Sequence, residues 1–224
     1  MTQEPASPAS VLDLLDEADR RELERRGGRR RFKAGSTLMH EGSPGAEVLM
    51  LLSGRVKASV TNADGREVVL GFQGPGDLVG ELALIDDRPR SSTVEALDPV
   101  EALAVSAPDF RALLARPGFA GVLLRSLAQR FRDVDRRRIE FASAQTLGRV
   151  AARLLELAER HGEPDGDAIT ITLPISQEEL AGWTGSSREA VAKALAALWD
   201  LDLIRTERRR ITVLDSVGLM RQSA

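Results

Sequence analysis

The 224-residue chain predicts an α+β fold in which a β-rich N-terminal part and a small helical C-terminal part are joined by one long helix. Three observations lead there. Short apolar runs separated by glycine fill residues 31–106, a stretch poor in glycine and proline follows at 119–141, and two short helical patterns with strand signals beside them close the chain.

Residues Met1–Ser10 are rich in Pro, Ala and Ser and predict a mobile start. Val11, Leu12, Leu14, Leu15 and Ala18 lie at helical spacing, so one short docking helix is expected over Val11–Leu23. The runs VLMLL, VKASV, VVLGF and VEALAV then read as strands of a β-barrel or β-sandwich. Asn62–Gly65 (NADG) carries the strongest hairpin signal, Asp64-Gly65.

A brief helix is expected at Pro108–Leu114, and a long one at Phe119–Phe141. The long helix carries a seam of Ala120, Leu124, Leu127, Phe131, Val134, Arg138 and Phe141, in alternating steps of four and three. So narrow a heptad seam suits pairing with a second copy; an ordinary helix lying on the β domain is the alternative. Beyond Ser143–Thr146 the apolar phase changes to Leu147, Val150, Ala151, Leu154, Leu155 and Ala158, which places a hinge there. The HGEPDGD stretch at 161–167 reads as a break. The expected division is a β domain over 1–118, a dimerisation helix with hinge over 119–144 and a C-terminal domain over 145–224.

In that last domain ITITLPIS reads as a strand leading into a helix, with Ser176 and Glu179 spaced as a capping box. The helix Gln177–Trp183, the Thr184-Gly185 turn and a helix from Ser186 or Ser187 to Trp199 form a helix-turn-helix. LIRTERRRITVL then reads as strand, turn, strand: a wing with Arg208, Arg209 and Arg210 near its tip. A purely structural helical hairpin is the competing reading. From Thr146 onward nine Arg and one Lys face twelve Asp and Glu, so overall charge does not point to nucleic acid. Placement does: Arg188, Glu189 and Lys193 stand near the N-terminal end of the second helix, the end that enters a major groove in this motif. An arginine fork can bond guanine and a carboxylate can accept from cytosine N4. Glu189, three residues after Ser186, could instead complete a capping box.

Composition narrows the chemistry. The absence of cysteine removes disulfides, thiolate zinc sites and cysteine-ligated clusters, and the two histidines, His40 and His161, make no metal set. No apolar run approaches a membrane span and the start lacks a signal-peptide pattern, so the cytoplasm is the expected compartment, with no membrane partner. No serine–histidine–acid, metal or nucleophile constellation speaks for an enzyme. One segment does suggest a ligand: in GDLVGELALIDDRPRSSTV, Gly80 and Glu81 precede a short helix start, and Arg90 follows ten residues after Gly80 with hydroxyls behind it, the makings of a phosphate clamp. An internal Arg–Glu bridge at a barrel corner is the alternative.

GELALIDDRPRSSTV resembles the phosphate-binding cassette of cyclic-nucleotide-binding domains, and SQEELAGWTGSSREAVAKAL resembles the recognition motif of the cyclic AMP receptor protein (Crp/Fnr) family. The likeness spans about Arg31 to Leu214. It implies a double-stranded β-helix (β-roll) at the N-terminus, a long dimerisation helix and a C-terminal winged helix-turn-helix. It implies that Gly80 and Glu81 hold a ribose hydroxyl, that the Leu82 and Ala83 amides face a cyclic phosphate, and that Arg90 pairs with it, helped by Ser91 and Ser92. Arg130 stands where the family often has an arginine bridging to the acid of the cassette. Arg188, Glu189 and Lys193 would read bases, and Ser176, Gln177 and Ser187 would contact DNA phosphates.

Two positions depart from the family. A Thr-Ser pair that contacts adenine in a cyclic AMP sensor is replaced by Val134 and Asp135, and Lys193 stands where arginine is common. The resemblance thus implies a homodimeric transcription regulator of a two-fold DNA site, with RNA polymerase a further candidate partner. Its effector would be cyclic AMP, cyclic GMP being the alternative, and no metal is involved. Control by another small molecule or by none, and a nucleotide-binding module acting on a protein partner, are the competing readings.

Overall fold

The computed structural model describes residues 10–207 and 210–223, and within them all side chains except those of 138–143. The chain forms two compact units, Ala9–Arg132 and Asp133–Ala224. The mobility expected of Met1–Ser10 falls, apart from Ser10, outside the described residues, as do Arg208 and Arg209 of the wing and the side chains of Arg138 and Phe141 in the seam.

The first unit opens with two helices rather than one. Ser10 caps α1 (Val11–Leu14) in a capping box with Asp13, and the chain then turns extended at Leu15. The Asp16 carboxylate accepts from the Asp19 N–H and starts α2 (Glu17–Arg26). This second cap divides the single helix expected over Val11–Leu23.

Eight strands follow: β1 (Gly28–Phe32), β2 (Thr37–Met39), β3 (Glu47–Ser53), β4 (Val56–Thr61), β5 (Glu67–Gln73), β6 (Leu78–Val79), and, after the short α3 (Leu82–Ile85), β7 (Thr93–Ala96) and β8 (Val100–Ser106). They make two four-stranded antiparallel sheets, in the orders β1-β8-β3-β6 and β2-β7-β4-β5, which form the β-roll. β4 and β5 pair across the Asn62–Gly65 turn, where Gly65 has φ +75°. β3 shows how the sheets bury both faces. Leu49 and Leu51 point into the roll with Val56, Val79, Val94 and Ala102, whereas Val48 and Met50 point the other way, onto the helices. That second core takes Leu15, Leu23, Phe110, Leu113, Phe119, Val122 and Leu123. Phe110 lies on α4 (Ala107–Leu114) and Phe119 on α5 (Pro117–Ser143), their rings edge to face at 6.2 Å.

The second unit holds α6 (Thr146–His161), the hairpin β9 (Gly162–Asp165) and β10 (Ala168–Ile171), α7 (Gln177–Thr184), α8 (Arg188–Asp200), β11 (Ile204–Glu207), β12 (Arg210–Val213) and α9 (Ser216–Gln222). The four strands form one sheet in the order β11-β12-β10-β9. β9 corrects the expected break at 161–167: it is an edge strand, where Pro164 removes no ladder bond that the sheet needs. α5 and α6 are separated by Ala144 and Gln145, whereas the two compact units divide within α5, between Arg132 and Asp133.

Candidate functional site

In the roll, β6 runs into Gly80, whose φ of +83° suits glycine. Space demands glycine as well: a Cβ there would lie 2.5 Å from Arg90 Nη1 and 2.6 Å from Met39 Sδ. Glu81, 2% exposed, begins the turn of α3, whose first turn leaves the Leu82 and Ala83 N–H groups outside the helix's own ladder. Ala83 is buried, Leu82 and Ser91 are exposed and Ser92 is half-buried.

Two arginines, Arg90 of the cassette and Arg130 of α5, reach the Gly80–Glu81 turn and are held differently. Arg130 of α5 donates from Nη1 to Glu81 Oε1 at 2.8 Å and from Nη2 to the Leu78 carbonyl at 2.9 Å. The bridge from α5 to the cassette acid therefore forms within this unit. Arg90 is 7% exposed and donates to two main-chain oxygens, Nη1 to Gly80 at 2.5 Å and Nη2 to Glu47 at 2.6 Å. Among the described residues it has no carboxylate at ion-pair distance, so the internal Arg90–Glu81 bridge considered above does not form. Burial lowers the Arg90 pKa from the ordinary arginine value, and the charges of Glu47 and Glu81 push it back up. Met39 and the Glu47 carbonyl were not anticipated from sequence; an apolar residue in a short strand and a main-chain oxygen carry no motif.

In the second unit Ser176 caps α7 in the expected box: its Oγ accepts from the Glu179 N–H at 3.1 Å and its own N–H donates to Glu179 Oε2 at 2.8 Å. Gly185, at φ +58°, closes α7 in the left-handed conformation. Ser187 caps α8, its Oγ accepting from the Ala190 N–H. The alternative box between Ser186 and Glu189 does not form, because the cap falls one residue later. Ser186 Oγ instead takes a hydrogen bond from Arg149 Nη2 at 3.1 Å, and the same guanidinium donates to the Thr184 and Ala144 carbonyls. Arg149 thus ties the α7–α8 turn to the start of α6, a role no motif announced.

Gln177, Arg188, Glu189 and Lys193 are exposed. The backbone N–H of Glu189 and the Ser187 hydroxyl hold the Glu189 carboxyl below the ordinary glutamate pKa, with Arg188 and Lys193 adding to the effect. It therefore presents an ionised acceptor beside two cations. Arg210 of the wing is exposed too. Farther back, Val134 and Asp135 are exposed on α5, and Asp135 makes no ion pair among the described residues.

Residues 29–117 match the cyclic nucleotide-binding domain family and residues 148–222 the Crp-like helix-turn-helix domain family. Over 221 residues, 98% of this chain and 93% of the relative, the sequence is 37% identical to the CRP-like cAMP-activated global transcriptional regulator of Mycobacterium tuberculosis. The chain belongs to the Crp/Fnr family of transcription regulators. Another member, the global nitrogen regulator of Synechococcus elongatus, is 31% identical over 85% of this chain and 87% of its own. The crystal structure of a CRP-family regulator from Thermus thermophilus superposes with a TM-score of 0.74 at 30% identity, covering 87% of this chain and 96% of that one. This Crp/Fnr regulator accordingly carries a cyclic-nucleotide-binding domain in its first unit and a DNA-binding helix-turn-helix in its second.

Proposed function

We propose that the protein is a homodimer that binds a two-fold DNA site and that cyclic AMP, held in the β-roll, raises its affinity for that site. The observation that carries the effector half is Arg90. A buried guanidinium bonded only to carbonyl oxygens, with no carboxylate among the described residues at ion-pair distance, is an arrangement that an anionic ligand would complete. In this reading the cyclic phosphate sits at Arg90 and the Leu82 and Ala83 amides with Ser91 and Ser92 beside it. Gly80 and Glu81, steadied by Arg130, take the ribose. Val134 and Asp135 discriminate the base.

The dimer half rests on α5. One face is spent on the core through Phe119, Val122 and Leu123, while Leu124 and Phe131, seven residues apart, are 67% and 66% exposed, with Val134 half-exposed three residues on. Large apolar side chains at heptad spacing suit a second copy of the same helix. In DNA reading, Arg188, Glu189 and Lys193 contact bases and Ser176, Gln177 and Ser187 contact phosphates. Ligand binding shifts the population toward arrangements in which two recognition helices match two half-sites. RNA polymerase is the further partner and the cytoplasm the compartment; no described helix is long and apolar enough to cross a membrane.

Calorimetric titration of the protein with cyclic AMP and cyclic GMP tests this. Saturable binding of cyclic AMP, with tighter operator binding in its presence, is the expected result; no heat with either nucleotide would sink the effector half. That outcome would favour a second reading, control by a different small molecule or none, which the Val134–Asp135 pair supports.

A further inference from the structure

Trp183, on α7, is 5% exposed, and two guanidinium groups lie over its ring: Arg153 of α6 with its central carbon 5.3 Å from the ring centre, and Arg137 of α5 at 5.4 Å. One carboxylate holds both. Glu156 Oε1 accepts from Arg137 Nη2 and Oε2 from Arg153 Nη1, each at 2.6 Å. A second buried acid, Asp133 of α5, accepts from Arg160 Nη2 at 2.8 Å and from Arg136 Nη2 at 3.0 Å. The cross-links run 133 to 160 and 137 to 156. Together they join an i,i+4 pair on α5 to an i,i+4 pair on α6, and each helix gives the other one acid and one arginine.

Apolar contacts alone would let two helices settle in several registers. A buried carboxylate shared by two guanidiniums admits one register, because a slip would strand a charge in the interior. The ring adds a third element: α7 can hold its place against the cations only while α5 and α6 hold theirs. α7 is joined through the Gly185 turn to α8, so whatever fixes α7 fixes the base-reading side chains.

We propose that Trp183 is a positioning residue for DNA reading, and that the Arg137–Glu156–Arg153 clamp on its ring makes the last turns of α5, α6 and α7 a single body, through which a change along α5 reaches the recognition helix. The proposal rests on α8 being the DNA-reading helix.

The test uses the full-length protein with Trp199→Phe, which leaves Trp183 as the sole tryptophan. In that background Arg137→Gln should make Trp183 emission more accessible to acrylamide and lower operator affinity about tenfold. It should also shrink the gain in operator affinity that cyclic AMP confers, with cyclic AMP binding itself unchanged. Arg137→Lys, which keeps a cation over the ring, should restore most of the loss. Unchanged quenching in Arg137→Gln, or a fully exposed ring with undiminished operator affinity, would overturn the proposal. Should Arg137→Gln fail to fold, Trp183→Phe in the otherwise natural chain decides: it should lose about threefold in operator affinity, and full affinity would overturn the proposal. If the unaltered protein selects no operator, the DNA-reading assignment fails by itself, and acrylamide quenching still shows whether Arg137 covers the ring.

Discussion

The effector cassette and the recognition helix both present cations, and they hold them in opposite ways. Arg90 is enclosed, each end of its guanidinium fork fixed on a main-chain oxygen, with Gly80 leaving no room for so much as a methyl group beside it. Arg188 and Lys193 stand in solvent around an ionised Glu189. In the cassette the fold fixes direction as well as charge, so ligand chemistry is built into the packing. On α8 the fold fixes only where the side chains start, so sequence preference can change without disturbing the core. The same substitution should therefore have a large, all-or-none effect in one region and a small, selective one in the other.

Arg90→Ala should show the larger effect. Without the guanidinium a cyclic phosphate would face amides with no charge partner, a loss of about 2–5 kcal/mol in binding. Titration calorimetry should find cyclic nucleotide binding abolished, and size-exclusion chromatography should find the dimer intact, since α5 carries that interface in our reading. Retained affinity would mean that Arg90 is an internal brace between the Gly80 and Glu47 carbonyls.

Arg188→Ala should do less, costing about 1–3 kcal/mol on a cognate site and relaxing preference at one base pair. Thermal melting should hardly move, because the side chain is exposed and supports nothing in the core. A fall in melting temperature matching the fall in affinity would erase the contrast between the two regions.

The same contrast explains what could be read in the sequence. Local chemistry was legible: the Asn62–Gly65 hairpin, the Ser176–Glu179 box and the Gly185 turn each declare themselves within four residues. Strands whose reason lies elsewhere were not. β1 is GRRRF, exposed along nearly its whole length, and exists because β8 pairs with it; β9 is GEPD, and exists because β10 does. The helix break at Leu15–Asp16 had a signal, an aspartate able to cap, but the apolar spacing of the neighbouring leucines masked it. In the cassette, the residue types were legible and their partners were not. Arg90 and Glu81 looked like each other's counter-charges, yet Glu81 takes Arg130 from 49 residues away and Arg90 takes main-chain oxygens. The contacts of Arg149 with the α7–α8 turn and of Trp183 with its two arginines join residues 30 to 46 positions apart and follow no periodic pattern.

The smallest expected effect lies at Lys193 and would sharpen the comparison rather than break it. Its ammonium is a compact point donor, able to meet guanine O6 or N7 but without the planar fork that meets both together. It is exposed on α8, five residues beyond Arg188, and no described carboxylate pairs with it, so a longer, forked side chain displaces no existing contact. Lys193→Arg should leave melting unchanged and tighten binding to a site with guanine at that position by about 1 kcal/mol, the lower end of what a bidentate contact discriminates. Selection from random DNA should return the same two-fold site for both proteins, with guanine more strongly enriched at one position per half-site for the arginine variant. A cassette residue cannot be altered in this gain-only way, because both ends of the Arg90 fork are already bonded to main-chain oxygens and a Cβ at Gly80 would lie 2.5 Å from it. If Lys193→Arg instead weakened binding at all sites, the lysine would be contacting a phosphate, where a point charge suffices, and base reading on α8 would fall to Arg188 and Glu189.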